Sequence, residues 1–268
     1  MCKKFLLGIA WSAVSLFSVS AQTTNQQIAA PTNSNFDTPP MTLIDLPTSQ
    51  TFRRGHYQIG FRVYQNGGGM AYVDIGLSGR LQLGISYGGD NVVSNQSLDG
   101  YPRVGFQGKF NLVSQRSVVW PSIAIGYSDQ GIGSYNRDLE RYTFKSRGFY
   151  GVASWGAMFN GWTSGLHAGV NYSLEGNESA AEKIDLFVGF DATVQRDLAF
   201  LAEYDLALND RSSDQLFNGR GRGYLNAGFR WNFAGSLQID LIARDILVNR
   251  REAKTVGREL RIVYFNQF

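Results

Sequence analysis

Residues 56–87 read HYQIGFRVYQNGGGMAYVDIGLSGRLQLGISY, and the alternation in this stretch decides the fold. From His56 to Tyr64, residues Tyr57, Ile59, Phe61 and Val63 fall on one face, with Gln58, Gly60 and Arg62 on the other. A period of two is the signature of a strand, and one apolar and one polar face suit a strand between lipid and a lumen. From Gly69 to Leu77 the apolar phase carries Val73, Ile75 and Leu77 against Tyr72, Asp74 and Gly76. From Arg80 to Tyr87 it carries Leu81, Leu83, Ile85 and Tyr87 against Arg80, Gln82, Gly84 and Ser86.

The same alternation recurs near residues 102–112, 118–127, 148–158, 164–174, 183–194, 198–208, 223–233, 236–245 and 257–268, for twelve strands in all. Each is about ten residues long, the length a tilted strand needs to cross a bilayer. The clearest is Ile184, Leu186, Val188, Phe190 and Ala192 against Asp185, Gly189, Asp191 and Thr193. The sixth, GFYGVASWGAM, is apolar in both phases, which leaves its lipid side open. The expected fold is all-β: a single antiparallel up-and-down transmembrane β-barrel of about 12 strands, spanning residues 53–268.

Loop lengths are an independent indicator, because outer-membrane barrels have short periplasmic turns and longer extracellular loops. Short links fall at Ser78-Gly79, Ser114 to Ser117, Phe159 to Thr163, Gln195 to Asp197 and Ala234-Gly235; long ones fall at 88–101, 128–147, 175–182, 209–222 and 246–256. Only Gln65 to Gly68 breaks the alternation. An even strand count with this parity leaves both ends of the barrel in the periplasm. A soluble β-sandwich would share the period of two but has no reason to sort its loops in this way.

Composition agrees. The chain has 31 glycines, 18 phenylalanines and 13 tyrosines against 6 prolines, and no i, i+3, i+4, i+7 stripe follows the first segment. Trp120, Trp162, Trp231, Phe233 and Phe268 lie toward the short-link end and Tyr127 and Tyr172 toward the other, as aromatic girdles at two interfaces would. The final strand ends in Phe268 with Tyr264, Ile262 and Leu260 in phase and Asn266 as the one polar interruption. An exposed terminal strand of this kind suits recognition by a barrel-insertion machinery, so that machinery and outer-membrane lipid are the expected partners.

Residues 1–21 have the layout of a secretory signal peptide: Lys3 and Lys4, an apolar stretch from Phe5 to Phe17, and small residues up to Ala21. Residues 22–52 are rich in Thr, Asn, Gln and Pro and read as a flexible periplasmic lead-in. Cys2 falls in the signal, so the mature chain has no thiol for disulfides or thiolate metal sites. The formal charge is +3, or +1 without Lys3 and Lys4, and gives no sign of a nucleic-acid partner.

No residue pattern here requires a cofactor or metal. His56 and His167 are the two histidines, on strands expected to lie on opposite walls. Ser164 and Ser173 flank His167 without a nucleophile motif, so a hydrogen-bonded lumen histidine is the stronger reading and a lipid-modifying enzyme the weaker one. GRGRG at 219–223 precedes a strand, and without a helix N-terminus it is a basic loop and not a phosphate cradle. Asp129, Asp138 and Glu140 do not match an EF-hand spacing.

The informative charges are those expected to line the lumen. Arg62, Arg80, Arg103 and Lys109 oppose a single Asp74 on the first four strands, whereas Asp185, Asp191, Glu203 and Asp205 stand on the eighth and ninth. Arg230, Asp240, Arg244, Glu259 and Arg261 form a mixed set on the last three. Opposite charges across a lumen of this width either meet and plug it or hold a transverse field across a polar path. The mixed set favours local pairing and a mostly occluded lumen.

The stretches RRGHYQIGFRVYQNGGGMAYVDIGLSGRLQLGISYGGDN, SRGFYGVASW, LAEYDLALND and GRGYLNAGFRWNF resemble the YjbH-like group of bacterial outer-membrane barrel proteins, over most of the chain from about residue 50. That resemblance implies an outer-membrane barrel and, in some members, a link to export of extracellular polysaccharide; it brings no catalytic residue. The expected function is a non-enzymatic barrel acting as a narrow channel or an export or assembly accessory, with polysaccharide or a small polar solute as cargo. The alternative is a structural or adhesive barrel working through loop residues Tyr135, Arg137, Arg141, Arg220 and Arg222.

Overall fold

The computed structural model describes residues 40–115, 117, 119–159, 162–176, 183–195, 197–211, 219–233 and 235–268. The expected signal at 1–21 and the lead-in from 22 to 39 lie outside the described residues, as do parts of two long loops.

Twelve strands form the wall: β1 His56–Tyr64, β2 Gly68–Gly76, β3 Leu81–Asp90, β4 Gly105–Val113, β5 Ser122–Ser128, β6 Gly148–Phe159, β7 Trp162–Tyr172, β8 Ile184–Gln195, β9 Leu198–Asp205, β10 Tyr224–Phe233, β11 Leu237–Arg244 and β12 Gly257–Gln267. Each pairs antiparallel with the next, and β12 returns to β1 with Ile262 opposite Phe61, so the barrel is closed and has no free edge. Among the described residues no helix is long and apolar enough to cross a membrane, so any crossing is made by strands.

The burial pattern is that of a soluble protein turned inside out. Ile59, Phe61, Val73, Leu83, Ile85, Leu186, Val188, Phe190, Phe229, Leu241 and Ile262 are exposed on the outer face, while Gln58, Arg62, Asp74, Gln82, Asp185, Glu203, Asp240 and Arg261 are buried inside. An apolar surface of this extent is not stable facing water and fits acyl chains. In β6 the outward phase is Phe149 and Ala153, and Val152 and Ser154 point in, which resolves the strand whose lipid side the alternation left open.

One end of the barrel carries the short turns and both strand termini. The other carries the long loops, and the 129–147 loop folds back as a small hairpin, Ile132–Asn136 against Arg141–Phe144. Inward glycines make room for large inward neighbours: a Cβ at Gly60 would lie 2.0 Å from the Tyr72 ring.

The main departure from expectation concerns residues 40–52, read above as part of a flexible lead-in. They lie inside the lumen. Leu43, Ile44 and Leu46 have no exposed surface and share one apolar cluster with Ala124, Val152, Phe187, Leu201 and Ile242, contributed by five different strands. Burial of three aliphatic side chains contributes on the order of 5 kcal/mol, less than the roughly 1–2 kcal/mol per residue that ordering the segment costs, so polar contacts with the wall must supply the rest.

The outward assignment is testable at Val188, midway along β8. Replacing it with Arg should cost about 2–4 kcal/mol in denaturant-dependent folding into lipid vesicles. An unchanged folding free energy would mean that this face does not meet hydrocarbon.

Candidate functional site

The lumen segment is a tight hairpin. Thr42 pairs with Pro47, the Leu43 N–H donates to the Leu46 carbonyl at 2.9 Å, and Ile44-Asp45 forms a two-residue tip. Below the tip the Thr48 hydroxyl donates to the Pro40 carbonyl at 2.5 Å, closing the base. A hairpin this short is not stable alone in water, so the wall must hold it.

Glu203 does so on one side. Its Oε2 accepts the backbone N–H groups of Ile44, Asp45 and Leu46 at 3.1, 2.9 and 2.9 Å, and its Oε1 accepts from Asn226 at 2.8 Å. A carboxylate capped by successive amides is a charge-assisted arrangement, stronger than a neutral hydrogen bond.

On the other side the register sets Arg230, Asp240, Arg261 and Arg62 in one row across β10, β11, β12 and β1. Arg230 and Arg261 share Asp240 and turn their remaining donors to the hairpin: Arg230 to the Thr42 and Leu43 carbonyls at 3.1 and 2.8 Å, Arg261 to those of Ile44 and Leu43 at 2.8 and 2.6 Å. Arg62 and Arg244 share Glu259 and close on Asp45, at 2.9 Å from Arg62 Nη2 and 3.0 Å from Arg244 Nη2. Four guanidiniums therefore meet three carboxylates and the hairpin carbonyls, and one of the three carboxylates belongs to the hairpin.

Smaller groups complete the grip. Lys109 Nζ donates to the Met41 carbonyl at 2.7 Å, and Asn111 donates to the Ser49 carbonyl at 2.8 Å. The Ser49 N–H donates to Ser154 Oγ at 3.0 Å, Ser154 Oγ meets His167 Nδ1 at 2.7 Å, and His167 Nε2 meets Asp191 Oδ1 at 2.7 Å. In the tautomer that donates Nε2–H to Asp191, His167 accepts the Ser154 hydroxyl at Nδ1, leaving Ser154 Oγ to accept from Ser49. This relay of serine, histidine and aspartate positions an acceptor for the hairpin. Gly189 is needed beneath it, because a Cβ there would lie 2.3 Å from Leu43 Cδ1.

The long-loop end has a second closure. Tyr142, on the folded-back hairpin, is buried with Tyr64, Met70, Tyr101 and Ile132, and its ring lies 4.9 Å from those of Tyr101 and Tyr135. Arg141, 1% exposed, pairs with Asp210 at 2.7 Å, and Glu175 accepts the backbone N–H groups of Tyr142 and Ser146 at 2.9 and 2.8 Å. Burial pushes the Glu175 and Asp210 carboxyls above their usual range, against the pull of Ser146 and Tyr142 on the first and Arg141 on the second. Raised folded-state values add stability as pH falls and lose it as pH rises through them, so mild acid does not loosen the lid through these groups. Arg244 reaches both closures, pairing with Asp45 and lying 5.0 Å from the Phe144 ring of the lid. Beside the lid a cavity of ≈ 20 Å³, room for about a single water, touches Tyr64, Asp90, Ser134, Arg244 and Arg250.

Of the residues expected to line the lumen, Arg62, Asp74, Lys109, Asp185, Asp191, Glu203, Arg230, Asp240 and Arg244 are buried on the inner side of their strands, and Asp205 is partly buried there beside Arg147. Arg80 and Arg103 are not on the inner wall: Arg80 is exposed in the turn before β3, and Arg103 stands in a long loop, 3.8 Å from Asp129. The expected opposition of basic early strands to acidic later ones is replaced by local sets. Asp74 accepts from Gln58 and Gln107 at 2.6 Å each, and the basic row lies on β10–β12 and β1. Among the loop residues, Arg137, Arg220 and Arg222 are exposed, whereas Arg141 is enclosed by its ion pair. Asp45 and Ser154 did not enter the reading of the sequence. Val152, Leu201 and Ile242, apolar residues standing in the inward phase, were the available signal that something apolar fills the lumen.

No protein-family model matches the chain. No curated protein matches it either. Among solved structures, the chain is similar to the KdgM porin, with 10% identity over 78% of this chain and 98% of that one and a TM-score of 0.45. It is also similar to the Acinetobacter baumannii outer membrane protein Omp33, with 10% identity over 80% and 98% and a TM-score of 0.45, and to the NanC porin, with 10% identity over 79% and 98% and a TM-score of 0.43.

Proposed function

We propose that this chain is a non-enzymatic outer-membrane channel for small polar solutes, held closed by its own residues 40–52. The observation that carries the reading is the hairpin seated in the lumen, gripped by Glu203, Arg62, Arg230, Arg244 and Arg261. A barrel meant only as a solid anchor has no use for a wall of charges around a segment that precedes its first strand. A channel that must be shut and reopened does.

The apolar belt, the closed sheet and the sorting of loops by length support placement in the outer membrane, with short turns in the periplasm and long loops outside. Insertion would proceed through the terminal strand ending at Phe268. A polysaccharide-export setting rests on the YjbH-like resemblance; the filled lumen argues against passage of a polymer unless the hairpin leaves. The relay of Ser154, His167 and Asp191 supports anchoring over acyl transfer, since the Ser154 hydroxyl is engaged by Ser49 and enclosed by the hairpin.

Planar-bilayer conductance tests this directly. A chain lacking the lid hairpin 132–144 should stay mostly closed by its plug, and further deletion of 40–52 should give steady openings; the substitutions that follow are made in that lid-free chain. Glu203→Gln removes a charged acceptor worth about 2 kcal/mol and should raise the open-to-closed ratio roughly thirtyfold. Gly189→Leu, which changes no charge, should open the channel by displacing Leu43. A variant lacking both closures that folds and never conducts would refute the channel.

A further advance is expected from the weaker anchor. Ser154→Ala removes one neutral hydrogen bond, about 1 kcal/mol, so the same ratio should rise roughly fivefold. An effect as large as that of Glu203→Gln would mean that the relay, not the carboxylate, holds the hairpin.

A further inference from the structure

We infer that the lumen wall around the hairpin tip is a binding site for acidic peptides, with residues 43–46 as its resident occupant. The inference rests on the channel reading above and names the class of molecule that the channel admits.

The wall matches the parts of a peptide one by one. Glu203 accepts consecutive backbone N–H groups. Arg230 and Arg261 donate to consecutive backbone carbonyls. Arg62 and Arg244 close on one planar carboxylate, the Asp45 side chain, with the geometry that paired guanidiniums favour. Val152, Phe187, Leu201 and Ile242 receive the aliphatic side chains on either side of the acid.

A single residue spans the two poles: the Asp45 N–H sits on Glu203 while its carboxylate sits on Arg62 and Arg244. The site therefore selects an amide N–H and a carboxylate separated by two carbons and flanked by aliphatic groups. A neutral sugar offers neither the carboxylate nor the row of amides.

Removing the hairpin makes the demand explicit. Four guanidiniums would then face only Asp240 and Glu259, an excess of two positive charges, and Glu203 would lose three of its donors. Unmatched charges in a narrow lumen are costly, so the vacated wall recruits a molecule of the same pattern. The hairpin joins β1 through residues that run past Gly79 and Gly76, with Thr51 donating to the Gly79 carbonyl at 3.1 Å and the Gly55 N–H to that of Gly76 at 2.9 Å. Both glycines lie at the short-turn end, so exchange occurs from that side.

The test is isothermal calorimetry in detergent on the barrel lacking 40–52, with the synthetic peptide of residues 41–50 and with N-acetyl-aspartyl-leucine amide as a short acidic probe that keeps only the Asp45-Leu46 step. The long peptide should bind, the short acidic probe should compete, and Asp45→Asn in the peptide should weaken binding at least tenfold. Arg62→Gln with Arg244→Gln in the barrel should do the same, whereas Arg137→Gln in an exposed loop should leave binding unchanged. Should the deletion variant fail to fold, the full chain carrying Asp45→Asn, with its resident carboxylate removed and all four wall arginines kept, takes its place, and N-acetyl-aspartyl-leucine amide should bind it more tightly than it binds the unaltered chain.

Equal binding of the aspartate and asparagine peptides, or no competition by the acidic probe, would overturn the inference. Acid-dependent binding to a barrel that never conducts would uphold the site and remove the channel reading, which keeps the two failures apart.

Discussion

A row of guanidiniums on the inside of a narrow barrel has to be neutralised, and the rest of this structure follows from how that is done. Arg230, Asp240, Arg261 and Arg62 are register partners on four adjacent strands, which places Arg261 directly beside Arg62. Like charges side by side on one face of a sheet are destabilising. Asp240 and Glu259 relieve part of this, and the remainder is met from outside the wall, by Asp45 and the carbonyls of the hairpin. The segment before the first strand is therefore part of the interior that the barrel needs, and its departure has an electrostatic cost that only water or another ligand offsets.

That dependence couples the two closures. Arg244 is held by Asp45 and Glu259 and packs against Phe144, so the lid at the long-loop end rests on a residue whose position depends on the plug. The lid has its own support in Arg141 with Asp210 and in Glu175, whose partners all lie in loops. Loss of the hairpin would leave those loop pairs in place while removing the partner that orients Arg244. The two ends are unequal: the plug is held by charged groups of the wall, the lid by ion pairs among the loops and by aromatic contacts with Tyr64, Met70 and Tyr224 at the rim.

Much of the barrel was legible because a membrane strand carries its information in a period of two. The phase of Ile184, Leu186, Val188 and Phe190 against Asp185, Gly189 and Asp191 describes β8 as built. β6 was ambiguous because its inward Val152 faces an apolar plug, which removes the contrast between phases. Arg80 and Arg103 fit the polar phase numerically but fall beyond the paired ends of their strands, where alternation no longer fixes a side. The plug itself has no period to detect. Its mainly apolar run Met41 to Leu46 is too short to show a period and is flanked by prolines and threonines, and what orders it is a set of partners more than 100 residues away, such as Glu203 and Arg261.

Barrel width explains why a hairpin was required at all. Eight strands close on their own side chains and sixteen leave an aqueous channel, so twelve enclose a space too wide for side chains alone and too narrow to hold a domain. Two antiparallel stretches with aliphatic side chains fit such a space, and Leu43, Ile44 and Leu46 are fully buried in it. Apolar packing alone would make that filling permanent, because nothing polar in the lumen would reward its removal. The charged grip has the opposite property: a competing ligand of matching charge can take over Glu203 and the arginines as the hairpin moves, which lowers the barrier to exchange. A plug held by charges around a small apolar tip is thus both a stable stopper and a displaceable one, and the balance between the two lies in how few aliphatic residues the tip contains.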